Sequence, residues 1–426
     1  MLYRLSCCDY VRRSIQVFRK VLLIFSIVLF RNLVKNESRI CFDNMSLQSG
    51  IFSISFTPYT SETKRNFFRN LTFKAFTSSD QICYNYYIIT KGDELLATLD
   101  DIARELGISK STASKALSGA KDVSKAMRQA VLEKAVEMGY SRSARSSQMP
   151  KIAIFVTNME YVRPDDFGFD LIVGFRKVAE PSGYQVEIIP IDQRMQLDIH
   201  YDTYMVQHNY TGGFFMGLSL LDPWMKDFET CKTPTVLYDN HISVNPKVTH
   251  VGVDNAEGMA IAVQFLKELG HTKIGYLSSA LQAYVYRQRH AAFFQAMRAE
   301  GLEADESLSG NADFINECLS LHLPRILDAG CTAIMCSHDL LANSVMVHCK
   351  ELGLRVPEDI SIIGFDDIPL CRYTFPPLST IRQDRANIGK SAFFALLNQF
   401  NDVHVSSLLL HPELVQRDSC APVAKK

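Results

Sequence analysis

Residues 98–140 read TLDDIARELGISKSTASKALSGAKDVSKAMRQAVLEKAVEMGY. Ile102, Ala103 and Leu106 recur at helical spacing, and Gly107 follows as a residue able to take the positive φ that ends a helix. Ser109 is placed to cap a second helix whose apolar face is Ala113, Ala116 and Leu117. A third helix is predicted to start at Ser124, bury Met127, Val131, Ala135 and Met138, and stop at Gly139. Two short helices joined through a glycine, with a third closing the core, make a helix-turn-helix. The outward positions of the second helix are Lys110, Ser111, Ser114 and Lys115, short or basic side chains suited to base edges and phosphates. Residues 96–149 carry nine basic against six acidic side chains, net +3, so the expected partner is double-stranded DNA.

Upstream the text is of another kind. Residues 1–95 hold 13 Lys and Arg against 7 Asp and Glu, net +6, with one alanine, ten Phe and six Tyr, and no run shows a clear period of 3.6 or 2.0. The apolar run at 21–30 (VLLIFSIVLF) is ten residues long, whereas a membrane span takes about 20. It suits a signal peptide with Arg12, Arg13, Arg19 and Lys20 ahead of it, but Arg31-Asn32-Leu33-Val34-Lys35 supplies no small-residue cleavage site. The composition matches A/T-rich non-coding DNA read in frame. Lys91-Gly92-Asp93-Glu94 can be encoded by AAAGGAGATGAA, a purine-rich ribosome-binding sequence ahead of a TTG start at Leu96. Residues 1–95 are therefore expected to be a non-native or disordered extension.

Downstream, apolar strand candidates alternate with helical ones: IAIFV, VEIIPI, GGFFMGL, PTVLYDN, THVGVDN, KIGYLSS, TAIMCS and ISIIGF, with AEGMAIAVQFLKELG, RQRHAAFFQAMRAEG and DLLANSVMVHCKELG among the helices between them. Apolar strands alternating with helices imply parallel sheets covered on both faces, and about 275 residues leave room for two lobes. Ligands of such sheets bind at the carboxyl ends of the strands. The polar residues there are Asn158, Glu160, Asp239, Asn240, Asp254, Asn255, Ser279, His338, Asp339, Asp366 and Asp367. Singly each suits a helix cap or turn; together they outline a crevice.

Two stretches are distinctive: DDIARELGISKSTASKALSG with its continuation to Tyr140, and SHDLLANSVMVHCKELGLRVPEDISIIGFDDIPLCRYTFPPLSTIRQD with ELGHTKIGYLSS. Both resemble the lactose-repressor (LacI-type) family of bacterial transcriptional regulators, from Thr98 to about Pro422 and nowhere in 1–95. The resemblance implies an α/β protein. An N-terminal three-helix helix-turn-helix headpiece (96–140) is followed by a short hinge or linker (141–150), then by two doubly wound parallel α/β lobes like a periplasmic binding protein (151–426) that bind ligand and dimerise. It places Lys110, Ser111 and Lys115 at the major-groove reading positions, and Thr98, Leu99, Ser109, Thr112 and Ser114 on the phosphate backbone. The family's linker carries a Pro-Asn start and a leucine that wedges into the minor groove. Here the Pro-Asn is missing, the linker is several residues shorter, and Met149 falls at the leucine position. In the sensor, Arg289 of YRQRHAAFF matches the arginine that clasps ligand hydroxyls, and Asp366 of GFDD the carboxylate that accepts them. His338-Asp339 stands where Asn-Asp is usual, and Asn158, Phe167, Phe169 and Trp224 are candidate stacking or polar contacts.

The implied function is a cytoplasmic, homodimeric repressor that binds a palindromic operator and answers to a small-molecule effector, a sugar or sugar derivative, with no cofactor, no metal and no stable membrane association. An exported or membrane-tethered sugar-binding protein is the alternative, against which the headpiece speaks. An enzyme has no support: HExxH, G-x-S-x-G and a phosphate-cradling glycine loop with Lys are all missing. Outside 1–95 there are seven cysteines, an odd number in apolar runs without C-x-x-C, which reads as buried thiols.

Overall fold

A computed structural model describes residues 39–48, 51–59, 97–140 and 149–423, in two compact units, Met1–Leu95 and Leu96–Lys426. The apolar run at 21–30, the expected start at Leu96 and the linker at 141–148 lie outside the described residues. In the first unit β1 (Arg39–Gln48) pairs antiparallel with β2 (Ile51–Tyr59). The sequence shows no clean alternation there because a register shift between Phe42 and Asn44 puts one extra residue into β1, which resets a two-residue period.

The second unit opens with the three helices expected. In α1 (Leu99–Glu105) Thr98 and Asp101 form a reciprocal capping box. Ser109 caps α2 (Lys110–Leu117) by accepting from the Thr112 N–H, and Ser124 caps α3 (Lys125–Glu137) by accepting from the Met127 N–H. Gly107 and Gly139 both take φ +63°, the left-handed step that ends α1 and α3. Ile102, Ala113, Leu117, Val131 and Ala135 are buried between the helices, with Met127 and Met138 at the margin.

Lobe 1 begins with β3 (Lys151–Val156), α4 (Phe169–Ala179), β4 (Gln185–Pro190), α5 (Gln193–Asp198), α6 (Tyr201–His208), β5 (Tyr210–Met216), α7 (Trp224–Asp227), β6 (Thr235–Tyr238) and β7 (Val248–Val253). The chain then crosses into lobe 2 through α8 (Asn255–Glu268), β8 (Ile274–Ser279), α9 (Tyr284–Ala299) and β9 (Ser309–Ala312). There follow α10 (Ile315–Glu317), a π-helical turn, α11 (Leu323–Asp328), β10 (Ala333–Cys336), α12 (Asp339–Glu351), β11 (Ser361–Asp366) and β12 (Ser379–Arg382). It returns to lobe 1 with α13 (Arg385–Phe400) and β13 (Ser407–Leu410), and ends in lobe 2 with β14 (Glu413–Val415). The sheet orders are β13-β7-β6-β5-β3-β4, all parallel, and β14-β12-β11-β10-β8-β9, parallel except for the β14 edge. The chain thus passes between the lobes three times. In this second unit the described strands β9, β12, β13 and β14, of three or four residues each, went unread in the sequence, although β6 and β10, equally short but wholly buried, were read. The seven described cysteines are free and buried.

Lobe 1 depends on one close helix crossing. A Cβ on Gly174 of α4 would overlap the Ala386 carbonyl, and one on Gly389 of α13 would overlap the Leu171 carbonyl. Backbone cannot give way as a flexible side chain can, so the two helices pack at this distance only with glycine in both places. Gly174→Ala and Gly389→Ala are each expected to lower the unfolding free energy by about 1–3 kcal/mol in urea titrations. An unchanged midpoint would show that the crossing relaxes freely.

Candidate functional site

A cavity of about 970 Å³ lies between the lobes, at the carboxyl ends of their strands. Three cavity-lining residues other than glycine, at or just beyond strand ends, take positive φ: Asn158 (+50°) after β3, Asp239 (+52°) after β6 and Asp366 (+118°) at the end of β11. Such conformations are costly for residues with a Cβ and persist where surrounding contacts over-determine them. Here they turn short polar side chains into the cavity wall.

Arg289, on α9, is 2% exposed. Its Nε donates to Asn255 Oδ1 at 2.8 Å, and its Nη1 to the Ser337 carbonyl at 2.6 Å and to Asp366 Oδ1 at 3.1 Å. The guanidinium lies 3.7 Å from the centroid of the Phe365 ring. Burial works against its charge, but Asp366 and Asp239 outweigh that and hold its pKa above the ordinary value. From Asp366 the network continues across the lobes. Gln383 Nε2 donates to Asp366 Oδ1 at 2.6 Å, and Tyr238 of lobe 1 donates its hydroxyl to Gln383 Oε1 at 3.1 Å.

His338 caps α12: its Nδ1 accepts from the Leu341 N–H at 3.3 Å. That fixes the tautomer, so Nε2 carries the proton and donates to Ser279 Oγ at 2.7 Å. Burial pushes its pKa down to about 4, against the pull of Asp366. Asp239 moves the other way, raised to about 6 by burial.

Of the ligand candidates, Asn158, Phe167, Arg289, His338 and Asp366 line the cavity. Trp224 and Asp339 do not. Pro223 starts a short helix that turns the indole into the aromatic core of lobe 1, where it meets Phe155 edge-on and donates to the Ile199 carbonyl. Asp339 ties down the loop after β11, accepting from the Ile368 N–H and the Thr380 hydroxyl; burial, then the charge of Asp366, push its carboxyl up to about 7. Phe169 opens α4 outside the cavity lining. Two other strand-end carboxylates also serve the fold: Asp254 caps α8, and Asp367 pairs with Arg382 and Arg417. Tyr238, Tyr286 and Gln383 line the cavity and escaped the sequence reading. Gln383 sits directly after β12, a strand too short to mark its own end. Among the described residues no group of three or more His, Cys, Asp or Glu side chains is placed to hold a metal.

On the headpiece, Ser109, Lys110, Ser111 and Lys115 are exposed, Thr112 and Ser114 half-buried. Lys110 pairs with Asp100 at 2.8 Å and Lys115 with Asp122 at 2.5 Å, both in solvent. Thr98 is engaged in its capping box, Leu99 packs at the edge of the headpiece core, and Met149 is exposed. Among the described residues no helix is long and apolar enough to cross a membrane.

Residues 98–143 match the family model of bacterial regulatory proteins, lacI family, and residues 263–420 that of a periplasmic binding protein-like domain. The chain is 31% identical over 339 residues to the HTH-type transcriptional repressor CytR of Escherichia coli strain K12, covering 77% of this chain and 98% of that one. It is 28% identical to the HTH-type transcriptional repressor PurR of Aliivibrio salmonicida, covering 76% and 99%. Among solved structures, a complex of the transcriptional regulator CelR with cellobiose matches 76% of this chain and 99% of that one, with TM-score 0.56 at 23% identity.

Neutral His338 makes stability depend on pH. Its folded pKa, about 4, lies below the ordinary histidine value near 6.5. Its contribution is therefore complete above pH 6.5 and is lost as the pH falls toward 4. His338→Asn should remove roughly 3 kcal/mol of the decline between pH 7 and pH 4, measured by urea unfolding of both proteins. Parallel profiles would rule out a buried neutral ring.

Proposed function

Because the chain belongs to the lacI family of bacterial regulatory proteins, we propose that it represses transcription from a palindromic operator under the control of a small effector bound between its lobes. The observation that carries this reading is one chain holding two things: a capped helix-turn-helix with an exposed basic reading helix, and a cavity built on a buried arginine. Lys110, Ser111 and Lys115 read base edges in the major groove; Thr98, Leu99, Ser109, Thr112 and Ser114 hold phosphates; Met149 enters the minor groove. Two copies, related by a two-fold axis, place two reading helices on the two half-sites. The protein acts in the cytoplasm, where the DNA is.

The effector is a sugar or sugar derivative. Arg289, Asp366, Asn158 and His338 supply donors and acceptors for hydroxyl groups, and Phe167 an apolar face for the ring. CelR is solved with cellobiose. Asp339 acts indirectly, by holding the loop that carries Ile368.

Footprinting the protein across the genome of its host tests the whole reading, since genes beside the bound sites name the pathway. Lys115→Ala is expected to weaken operator binding about five- to tenfold and to relax base preference at one position of each half-site, in gel-shift titrations at fixed salt. Unchanged affinity and preference would remove Lys115 from the reading face.

A further inference from the structure

The reading helix must be aimed as well as exposed, and the structure holds a seat for it. The last carbonyls of a helix lie beyond its own hydrogen-bond ladder, at the negative end of its dipole, and a cation there is stabilising. At the end of α3 the carbonyls of Val136 and Glu137 accept from Lys232 Nζ, at 3.3 and 2.8 Å. Lys232 belongs to lobe 1, on the loop before β6. That loop is held rigidly. The Asp202 carboxylate, in the first turn of α6, accepts from the Lys232 and Thr233 N–H groups at 2.8 and 3.0 Å and from the Thr233 hydroxyl at 2.6 Å. Behind it, Asn245 Nδ2 donates to the carbonyls of Phe228 and Cys231. The same α6 carries Val206, which packs against the apolar core of the headpiece. The contact leaves Lys110, Ser111 and Lys115 exposed.

We propose that lobe 1 positions the headpiece directly, through a seat made by Lys232 and Val206 against α3. In this chain the seat sets the separation of the two reading helices, a task for which its short linker, without the Pro-Asn start, is poorly built. Lys232 and Val206 are positioning residues: they act on DNA only through where they hold α2. Removing the seat leaves each headpiece able to bind a half-site but no longer at a fixed distance from its twin.

The inference rests on operator binding as proposed above, and the test separates the two. The full-length wild-type protein first selects its operator from random duplex DNA; a pool that never enriches would overturn the DNA-binding reading itself. Affinities of Lys232→Ala, Lys232→Arg and Val206→Ser are then measured on the selected palindrome, on one half-site, and on a palindrome with one base pair inserted at its centre. Lys232→Ala should lose about fivefold on the palindrome, keep its half-site affinity, and discriminate less against the insertion. Val206→Ser should behave alike, and Lys232→Arg should restore the wild-type pattern. Unchanged palindrome affinity in both seat variants, or an equal fall on palindrome and half-site, would overturn the seat.

Discussion

The ion pair of Arg289 with Asp366 is the contact on which the sensor is organised. Taking two charges out of water costs several kcal/mol per ion, and their attraction offsets this only when every remaining donor and acceptor is met. Here Nε and Nη1 of the guanidinium and Oδ1 of the carboxylate are met by parts that come from far apart in the chain. Asn255 comes from the first crossing between lobes, Ser337 follows β10, Phe365 lies on β11, and Gln383 stands at the second crossing. Satisfying one guanidinium therefore fixes the relative places of α8, α9, β10 and β11. The backbone pays at Asp366, whose φ of +118° is tolerable only because its carboxylate is held from two sides.

That arrangement also ties ligand to lobe geometry. Tyr238 is the one lobe 1 member of the network described above, reaching Gln383 across the crevice. A molecule that accepted from Arg289 or donated to Asp366 would compete with the bond from Gln383, and through it reach Tyr238. A ligand shifts a two-state equilibrium only by its difference in affinity for the two states. A network shared between lobes gives such a difference a physical route, because its hydrogen-bond lengths change when the lobes move.

How much of this was legible in the sequence follows from where the information is stored. The headpiece was readable almost to the residue, since caps, periodicity and terminating glycines are local: Ser109, Ser124, Gly107 and Gly139 do what their neighbours imply, while the capping box of Thr98 went unread. The long buried strands were readable as apolar runs. The short strands at the sheet edges, β9, β13 and β14, were not, because three or four partly exposed residues form neither an apolar run nor a period, and β1 hid its alternation behind a bulge. Among site residues, strand-end polarity found Asn158, Asp239 and Asp366 but could not tell Asp366, aimed at the cavity, from Asp367, turned to Arg382 and Arg417. Trp224 shows the same limit. An aromatic near a strand end is placed by the surrounding core, and only three dimensions show that Phe155, Tyr201 and Phe215 claim it.

The charge distribution closes the physical account of DNA binding. The net charge of −1 sums +6 over residues 1–95, +3 over residues 96–149 and −10 over residues 150–426, so within residues 96–426 the positive excess lies in the segment that carries α2. Lys110 and Lys115 of α2 rest on Asp100 and Asp122, in pairs that are half or more exposed on both sides. Exposed pairs of this kind are worth at most about 1 kcal/mol. Phosphate contacts gain more than that through counterion release. The acidic partners therefore hold Lys110 and Lys115 in ordered positions that cost little to exchange for a phosphate.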